Sequence, residues 1–190
     1  MTLEIVHYGE EVLHQKGEAV TQFDESLKRL FEDMVETCIE ADGIGLAAQQ
    51  IGKAIQFCVV DLRGIEVDFD YTIDGAKPPI DLFNPMGLCN PVVTVIDSPK
   101  TTYEEGCLSF PEIRGDVDRP DWIRCEFQDI EGVPHVIECN GLLSRCIQHE
   151  VDHLNGILFT ERMKKKTFKK VQMAANQLRA KTLARLAKQA

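Results

Sequence analysis

The residues best suited to chemistry in this chain form the segment His149-Glu150-Val151-Asp152-His153. On a helix, side chains four residues apart lie on one face, so both imidazoles can bind the same metal ion. Glu150 then lies beside that ion, where its carboxylate can take a proton from a metal-bound water. The pattern H-E-x-x-H therefore predicts a hydrolytic metal site on a helix.

Two imidazoles leave such a site one protein ligand short, because catalytic metal sites of this kind usually have three. The pattern H-E-x-x-H-x-x-G-x-x-H fails here, since Gly156 is present but position 159 is phenylalanine. A glutamate from a following helix is disfavoured, because Glu161 is the last carboxylate side chain and follows His153 too closely. The upstream candidates are several carboxylates and Cys107, whose thiolate suits a borderline or soft divalent ion.

The elements around this segment are predicted from apolar periodicity. A helix over 141–154 carries the metal motif on a repeat of Leu142, Leu143, Cys146, Ile147, Glu150, Val151 and Leu154. An earlier helix is predicted over roughly 24–41, ended by Gly43, with a face of Leu27, Leu30, Phe31, Met34, Val35, Cys38 and Ile39. A glycine-rich turn over 43–48 and a strand over 54–62 follow it.

Further strands are predicted near 88–96, 122–130 and 133–139, the last two joined by a turn at Glu131-Gly132. Residues 63–81 are rich in acids, with glycine and proline near their ends, and are predicted to form a surface loop or hairpin insertion. Strands mixed with two or three helices predict an α+β fold. Its mixed or antiparallel sheets pack around the central metal-binding helix, with further helices near both chain ends.

Charge divides the chain into two parts. The 190 residues carry a formal net charge of −10, yet residues 162–190 contain ten Lys or Arg and no Asp or Glu. We expect an acidic catalytic domain over 1–161 and a basic amphipathic helix over 162–190. The apolar stripe of that helix is Phe168, Val171, Ala175, Leu178, Thr182 and Leu186. The helix either simply packs on the body or also serves as an interface.

Composition excludes several classes of protein. With 44% hydrophobic and 27% charged residues, the chain is not extensively disordered. The acidic body disfavours nonspecific DNA binding. No apolar run reaches the roughly 18 residues of a membrane span, and no signal peptide is visible, so we expect a cytoplasmic protein. Seven cysteines without a C-x-x-C pair indicate reduced thiols, mostly buried.

Three segments form an ordered set along the chain. They are Gly43-Ile44-Gly45-Leu46-Ala47-Ala48-Gln49-Gln50, Glu105-Gly106-Cys107-Leu108-Ser109 and Gln148-His149-Glu150-Val151-Asp152-His153. Together they resemble the three signatures of the peptide deformylase family, of the bacterial or organellar type with a C-terminal helix. The resemblance implies a hydrolase that removes the N-formyl group from the formylmethionine of newly made polypeptides and releases formate.

The resemblance also implies a ligand set and catalytic roles. One divalent metal ion per chain would be held by Cys107, His149 and His153, with Fe(II) as the native ion and zinc, nickel or cobalt as replacements. Glu150 would be the general base. The side-chain amide of Gln50 and the backbone N–H of Leu108 would bind the formyl oxygen.

A peptide-binding cavity is implied beside the metal. Gly43 and Gly45 would let a substrate backbone approach and pair as an added strand. Candidates for the wall around the methionine side chain are Ile44, Glu105, Cys146 and Ile147, and Arg114 is a candidate contact to the peptide backbone. Asp152 is expected to pair with Arg119 or Arg114, or to form only a surface ion pair.

The expected partners are N-formylmethionyl peptides on nascent chains, without DNA or membrane. Bacterial relatives dock on the ribosome through a basic C-terminal helix, and the tail of this chain fits such docking. Two other functions stay open. A metallopeptidase would use the same H-E-x-x-H chemistry, although the missing third histidine or late glutamate counts against it. A non-enzymatic binding module would need neither Glu150 nor Gln50.

Overall fold

A computed structural model describes residues 1–65, 69–96 and 98–188. Its larger sheet has six strands, and every neighbouring pair in it runs antiparallel. In sheet order these are β1 (Gly45–Ala47), β2 (Phe57–Val60), β4 (Met86–Val95), β7 (Ile123–Gln128), β8 (Pro134–Cys139) and β3 (Tyr71–Ile73). Among the described residues, β1 therefore lies at one edge of the sheet and has a neighbouring strand on one side only.

Two helices cover the two faces of this sheet. Helix α1 (Glu25–Glu40) packs on one face with Phe57 and Val59 of β2, and helix α2 (Gly141–Leu154) packs on the other with Cys58 and Val60. Because successive side chains of a strand point to opposite faces, all four residues of β2 are buried. Helix α2 is thus the central element of the fold.

A second, two-stranded sheet stands beside α2. It consists of β5 (Lys100–Cys107) and β6 (Phe110–Pro120), in which Cys107 pairs with Phe110 across a tight turn. The short helix α3 (Phe159–Arg162) and the long helix α4 (Lys165–Leu186) pack against β6. This hairpin brings the Cys107 segment to the face of α2.

The C-terminal helix lies with its predicted stripe on the body. Ala175 and Thr182 are buried, and the rest of the stripe, Phe168, Val171, Leu178 and Leu186, is half-buried. None of the helices in the described ranges is long and apolar enough to cross a bilayer. The stripe is therefore explained by packing, while most of the basic side chains of α4, together with Met173 and Leu183, are turned to water.

The structure confirms the two earlier helices, a C-terminal helix and most of the strands, and it corrects several details. The C-terminal helix begins at Lys165 and not at 162, and residues 189–190 of the predicted tail lie outside the described residues. Ile39 is 52% exposed, so it does not belong to the buried face of α1. The insertion at 63–81 is not only a surface loop, because Tyr71 and Ile73 are buried in β3, which pairs with β8. Residues 66–68 of this insertion lie outside the described residues. β1 and the β5–β6 hairpin were not predicted.

Candidate metal and catalytic site

Helix α2 and the turn of the β5–β6 hairpin bring together three side chains that can bind a soft or borderline metal ion. The Sγ atom of Cys107 lies 3.2 Å from Nε2 of His153, and the rings of His149 and His153 are 5.0 Å apart between centroids. One ligand atom from each of Cys107, His149 and His153 falls within 4.8 Å of the other two. A thiolate and two imidazoles fit a divalent metal that keeps a fourth position open.

Cys107 differs from the other cysteines in its surroundings. It is half-exposed at the hairpin turn, whereas the other six are buried and none of the seven forms a disulfide. Burial raises the pKa of Cys58 and Cys146 well above the usual value for a thiol. Those six thiols are consequently apolar core groups, as the sequence predicted.

Glu105 lies behind His149 and orients it. Its Oε2 is 3.1 Å from Nδ1 of His149, and both of its oxygens accept hydrogen bonds from Arg119, at 2.7 and 2.9 Å. Burial opposes ionisation of Glu105, but the hydrogen bonds from His149 and Arg119 outweigh it and lower its pKa below the usual range. Although Glu105 borders the cavity, its carboxylate is committed to this network.

Asp152 anchors the same helix through the same arginine. Its Oδ2 accepts a hydrogen bond from Nη1 of Arg119 at 2.7 Å, and its Oδ1 accepts one from Nη2 of Arg162 at 2.6 Å. The pairing with Arg119 was one of the predicted outcomes, and Arg114 takes no part in it. A buried network therefore joins Asp152, Arg119, Glu105 and His149.

Glu150 follows His149 on α2 and borders the same cavity. It is buried, and Gly45 of β1 lies directly opposite, where a Cβ would come within 2.5 Å of Glu150 Oε1. Among the described residues, Glu150 Oε2 has no hydrogen-bond partner. Burial raises the pKa of the Glu150 carboxyl to about 7. Such a carboxyl can both accept and return a proton near neutral pH.

Gln50 approaches the ligand group from the 3-10 turn Ala48–Ile51. Its Oε1 accepts a hydrogen bond from the backbone N–H of Ala47 at 2.8 Å. Its Nε2 therefore points to the hairpin turn, 3.5 Å from Cys107 Sγ and 3.4 Å from Ser109 Oγ. The side chain of Leu108 is apolar and packs against the α1 cluster, so only its backbone could donate a hydrogen bond to the site.

These groups open onto a cavity of about 590 Å³. Of the predicted substrate contacts, the structure places Gly43, Ile44, Gly45, Glu105, Arg114 and Cys146 on its wall. Ile147 does not line the cavity, because its side chain is fully buried under the sheet. Leu142 and Arg145 line it and were missed, although their helical spacing to Cys146 and His149 places all four on one face.

A comparison with known protein families identifies the family of this chain. The family model described as polypeptide deformylase matches residues 2–179. The chain belongs to the peptide deformylase family. Membership confirms the resemblance drawn from the three motifs, the α+β fold class and the hydrolase activity, which removes the N-formyl group from newly made polypeptides with the help of a bound metal. It leaves the metallopeptidase and binding-module hypotheses without support.

Individual relatives agree with this assignment. A peptide deformylase of Opitutus terrae is 56% identical over 192 residues, which span all of this chain and 97% of the relative. One from Methylacidiphilum infernorum is 41% identical over 85% of this chain and 84% of its own. A solved structure of peptide deformylase from Plasmodium falciparum is 34% identical, with a TM-score of 0.83 over 95% of this chain and 97% of its own.

Proposed function

We propose that Cys107, His149 and His153 hold one divalent metal ion, and that Glu150 and Gln50 act on the formyl group of a formylmethionyl peptide in the cavity. The observation that carries this proposal is the convergence of the three ligand atoms within 4.8 Å, beside a buried carboxyl and an oriented amide. A metal ion held there would lower the pKa of a water molecule and polarise the formyl oxygen.

The residues of the chain supply the remaining steps. Glu150 accepts a proton from the attacking water and later gives it to the leaving amine, which completes the release of formate. Nε2 of Gln50 and the backbone N–H of Leu108 donate hydrogen bonds to the formyl oxygen as negative charge develops on it. The hydrogen bond from Ala47 fixes the Gln50 amide so that its donor, not its acceptor, faces the substrate.

The substrate backbone is proposed to bind along Gly43, Ile44 and Gly45. β1 is an edge strand of the six-stranded sheet, and these residues form one wall of the cavity. A peptide can therefore extend the sheet by main-chain hydrogen bonds. The methionine side chain would enter beside Ile44, Leu142 and Cys146, while Arg114 lies exposed at the rim, within reach of the peptide backbone.

Fe(II) is our proposal for the native ion, with zinc, nickel and cobalt as replacements. One thiolate and two imidazoles are ligands that each of these ions accepts. The test is formate release from a short formyl-Met peptide, with protein purified without oxygen and loaded with Fe(II), Ni(II) or Zn(II). We expect release with Fe(II) or Ni(II) that chelation abolishes. Absence of release with every metal would contradict the proposal.

Glu150 gives this proposal a second test. The variant Glu150→Ala should retain the metal, because the ligands are unchanged, and should lose turnover by a factor of about 100 or more, as for other general bases. Metal content is measured in the purified protein, and formate release follows the rate. Full activity of Glu150→Ala would exclude Glu150 as the base.

We also propose that helix α4 docks the enzyme on the ribosome, which would place it in the cytoplasm. Three of the ten basic residues in 162–190 form ion pairs with the body: Arg162 with Asp152, Lys164 with Asp118, and Arg185 with Glu4 and Glu10. The other seven are exposed: Lys165, Lys166, Lys169, Lys170, Arg179, Lys181 and Lys188. Such a surface suits ribosomal RNA phosphates.

Docking is tested by co-sedimentation with ribosomes. We expect the intact protein to sediment at low salt and to be released as salt is raised, because phosphate contacts are screened. Replacement of Lys165, Lys166, Lys169 and Lys170 by Gln leaves the buried stripe intact and should weaken sedimentation while formate release persists. An intact protein that never co-sediments at low salt would contradict the docking proposal.

A further inference from the structure

Arg145 is a buried arginine that the proposed mechanism does not use. It lies on α2 one turn before His149, is only 7% exposed and borders the cavity. A buried guanidinium destabilises a protein unless its charge and its N–H groups are paired. The partners of Arg145 therefore indicate why the fold keeps this charge next to the metal ligands.

The guanidinium of Arg145 is held by both strands of the β5–β6 hairpin. Its Nη1 donates to Oε1 of Glu105 at 2.6 Å and to the carbonyl of Val117 at 3.1 Å. Its Nη2 donates to the carbonyl of Thr101 at 2.8 Å and to its hydroxyl at 3.1 Å. The guanidinium lies over the ring of Tyr103, with Cζ of Arg145 4.7 Å from the ring centroid. One side chain of α2 thereby fixes the hairpin that carries Cys107.

Glu105 is the acceptor that connects Arg145 to the site. Its Oε1 accepts from both Arg119, at 2.7 Å, and Arg145, at 2.6 Å. Its Oε2 accepts from Arg119 at 2.9 Å and lies 3.1 Å from Nδ1 of His149. Two guanidinium groups therefore fix the plane of the carboxylate. A carboxylate at Nδ1 in turn fixes the orientation and tautomer of an imidazole whose Nε2 is left for a metal.

We propose that Arg145 is a positioning residue of the metal site, which acts on His149 through Glu105 and on Cys107 through the hairpin. The inference rests on the proposed ligand set of Cys107, His149 and His153. Arg119 still holds Glu105 when Arg145 is lost, so metal retention is weakened and not abolished. Loss of such an outer partner usually changes metal affinity by about 10- to 100-fold.

The experiment follows Co(II) in the loaded protein, because a thiolate ligand gives Co(II) a characteristic near-ultraviolet absorption. Wild type, Arg145→Met and Arg124→Met are loaded with one Co(II) and mixed with excess chelator. Met keeps an apolar stem of similar length at position 145 and removes all four hydrogen bonds. We expect Co(II) to leave Arg145→Met about tenfold faster than wild type, at the low end of the range for outer partners.

Arg124→Met is the matched control. Arg124 also pairs with two carboxylates, Glu126 and Glu138, but on an exposed part of the large sheet. The Arg124→Met variant should therefore release Co(II) at the wild-type rate. The unfolding midpoint is measured for all variants, because a merely stabilising role of Arg145 would lower the midpoint without changing the absorption or the release rate.

Arg145→Lys keeps the inference testable if Arg145→Met does not fold. A lysine retains the charge, but its single ammonium cannot bridge Glu105, Val117 and Thr101, so release should be intermediate. Release from both variants at the rate of Arg124→Met would overturn the positioning role. A wild-type protein that binds no Co(II), or binds it without thiolate absorption, would instead overturn the proposed metal site, and the inference with it.

Discussion

The two ends of the Gln50 amide have different partners, and in the proposed mechanism this determines which end faces the substrate. The acceptor oxygen is occupied by the backbone N–H of Ala47, so the NH₂ group is directed to the Cys107 turn. A donor that is oriented before the substrate arrives needs no reorganisation when charge develops on the formyl oxygen. The residue is therefore sensitive to a change that preserves shape and removes the donor.

The substitution Gln50→Glu tests this donor. Glutamate keeps an oxygen for the Ala47 N–H but has no N–H of its own when ionised. We expect kcat to fall by a factor of about 100 to 1,000, equivalent to roughly 3 kcal/mol, as for other lost oxyanion donors. Steady-state formate release gives kcat and KM. A kcat within threefold of the wild-type value would show that Gln50 is not a donor to the transition state.

Individual residues also show which parts of the candidate site could be predicted from the sequence. The three motifs contain all the ligand and catalytic candidates. Each of these except Leu108, which is proposed to act through its backbone N–H, needs a particular side-chain chemistry. The sequence offered both Cys146 and Ile147 for the cavity wall, but neighbours on a helix point about 100° apart. Only Cys146 lines the cavity. Arg145 was missed because its partners lie on strands that the apolar pattern did not reveal.

At the scale of elements, β1 and α2 approach each other more closely than side chains usually allow. The approach occurs at Gly45, where a Cβ would lie 2.5 Å from Glu150 Oε1 and 2.9 Å from Cys146 Sγ. Glycine is required at this position because a side chain would occupy the space of the Glu150 carboxyl group, the proposed base. In the proposed mechanism, packing and catalysis consequently depend on the same residue.

The variant Gly45→Ala should therefore lose both activity and stability. The added methyl group must displace Glu150 or separate β1 from α2, and overpacking of this kind typically destabilises by about 1–3 kcal/mol. We expect a lower unfolding midpoint and at least a tenfold lower kcat/KM, measured by thermal unfolding and formate release. Wild-type values of both would show that β1 and α2 separate without consequence for the site.

The stability of the sheet edge formed by β3 and β8 depends on pH through His135. Burial opposes protonation of His135, but its hydrogen bonds with Asp74 and Asp129 outweigh burial and raise its pKa above the usual 6.5. Its hydrogen bond also lowers the pKa of Asp74 below the usual 3.8. The contribution of His135 to the free energy of unfolding is therefore complete below pH 6.5 and is lost as pH rises through its raised pKa. The contribution of Asp74 is lost only in acid, as its carboxylate becomes protonated.

Hydrogen exchange can detect this pH dependence. The amides of Asp74 and Val136 bond across the β3–β8 edge, at 2.8 Å each. We expect their protection factors, corrected for intrinsic exchange, to be higher at about pH 6 than at about pH 8. In the variant His135→Gln, the protection factors at the two pH values should agree. A pH-independent protection in the wild type would exclude His135 as the cause.

Periodicity explains which elements were predictable. Helices α1 and α2 each present a continuous apolar stripe, and the predicted bounds of α2 agree with the structure residue for residue. In the middle of β6 the buried positions alternate, but they are Ile113, Gly115, Val117 and Arg119, of which only two are large and apolar. The hairpin was missed because its buried positions contribute to the site and to close packing instead of to a hydrophobic pattern.

At the scale of the whole molecule, the ligand group joins two separately packed cores. His149 and His153 belong to α2, which packs under the large sheet, and Cys107 belongs to the hairpin that packs with α3 and α4. The opposite charges of body and tail were visible in the sequence. The packing of α4 against β6 was not, because it depends on contacts between residues far apart in the chain.

A metal that bridges these two cores should stabilise the folded chain. Binding to the native state alone adds about 4 kcal/mol when the free ion is 1,000-fold above its dissociation constant. We expect Ni(II) or Co(II) to raise the unfolding midpoint relative to chelated protein, measured by calorimetry. In Cys107→Ala, most of this difference should disappear while the chelated midpoint stays near that of the wild type. An equal shift in both proteins would place the stabilising ion elsewhere.

The unequal burial of the seven cysteines has a practical consequence. Six thiols are buried, and the half-exposed one is the proposed metal ligand. One of the six, Cys146, borders the cavity, but burial raises its pKa well above the usual value for a thiol, which keeps it unreactive. In the native protein, a thiol-specific dye should therefore count a single group, and bound metal should protect that group. The labelled fraction would report the share of empty sites in a preparation, so a bench assay with no substrate could calibrate the active fraction of each batch.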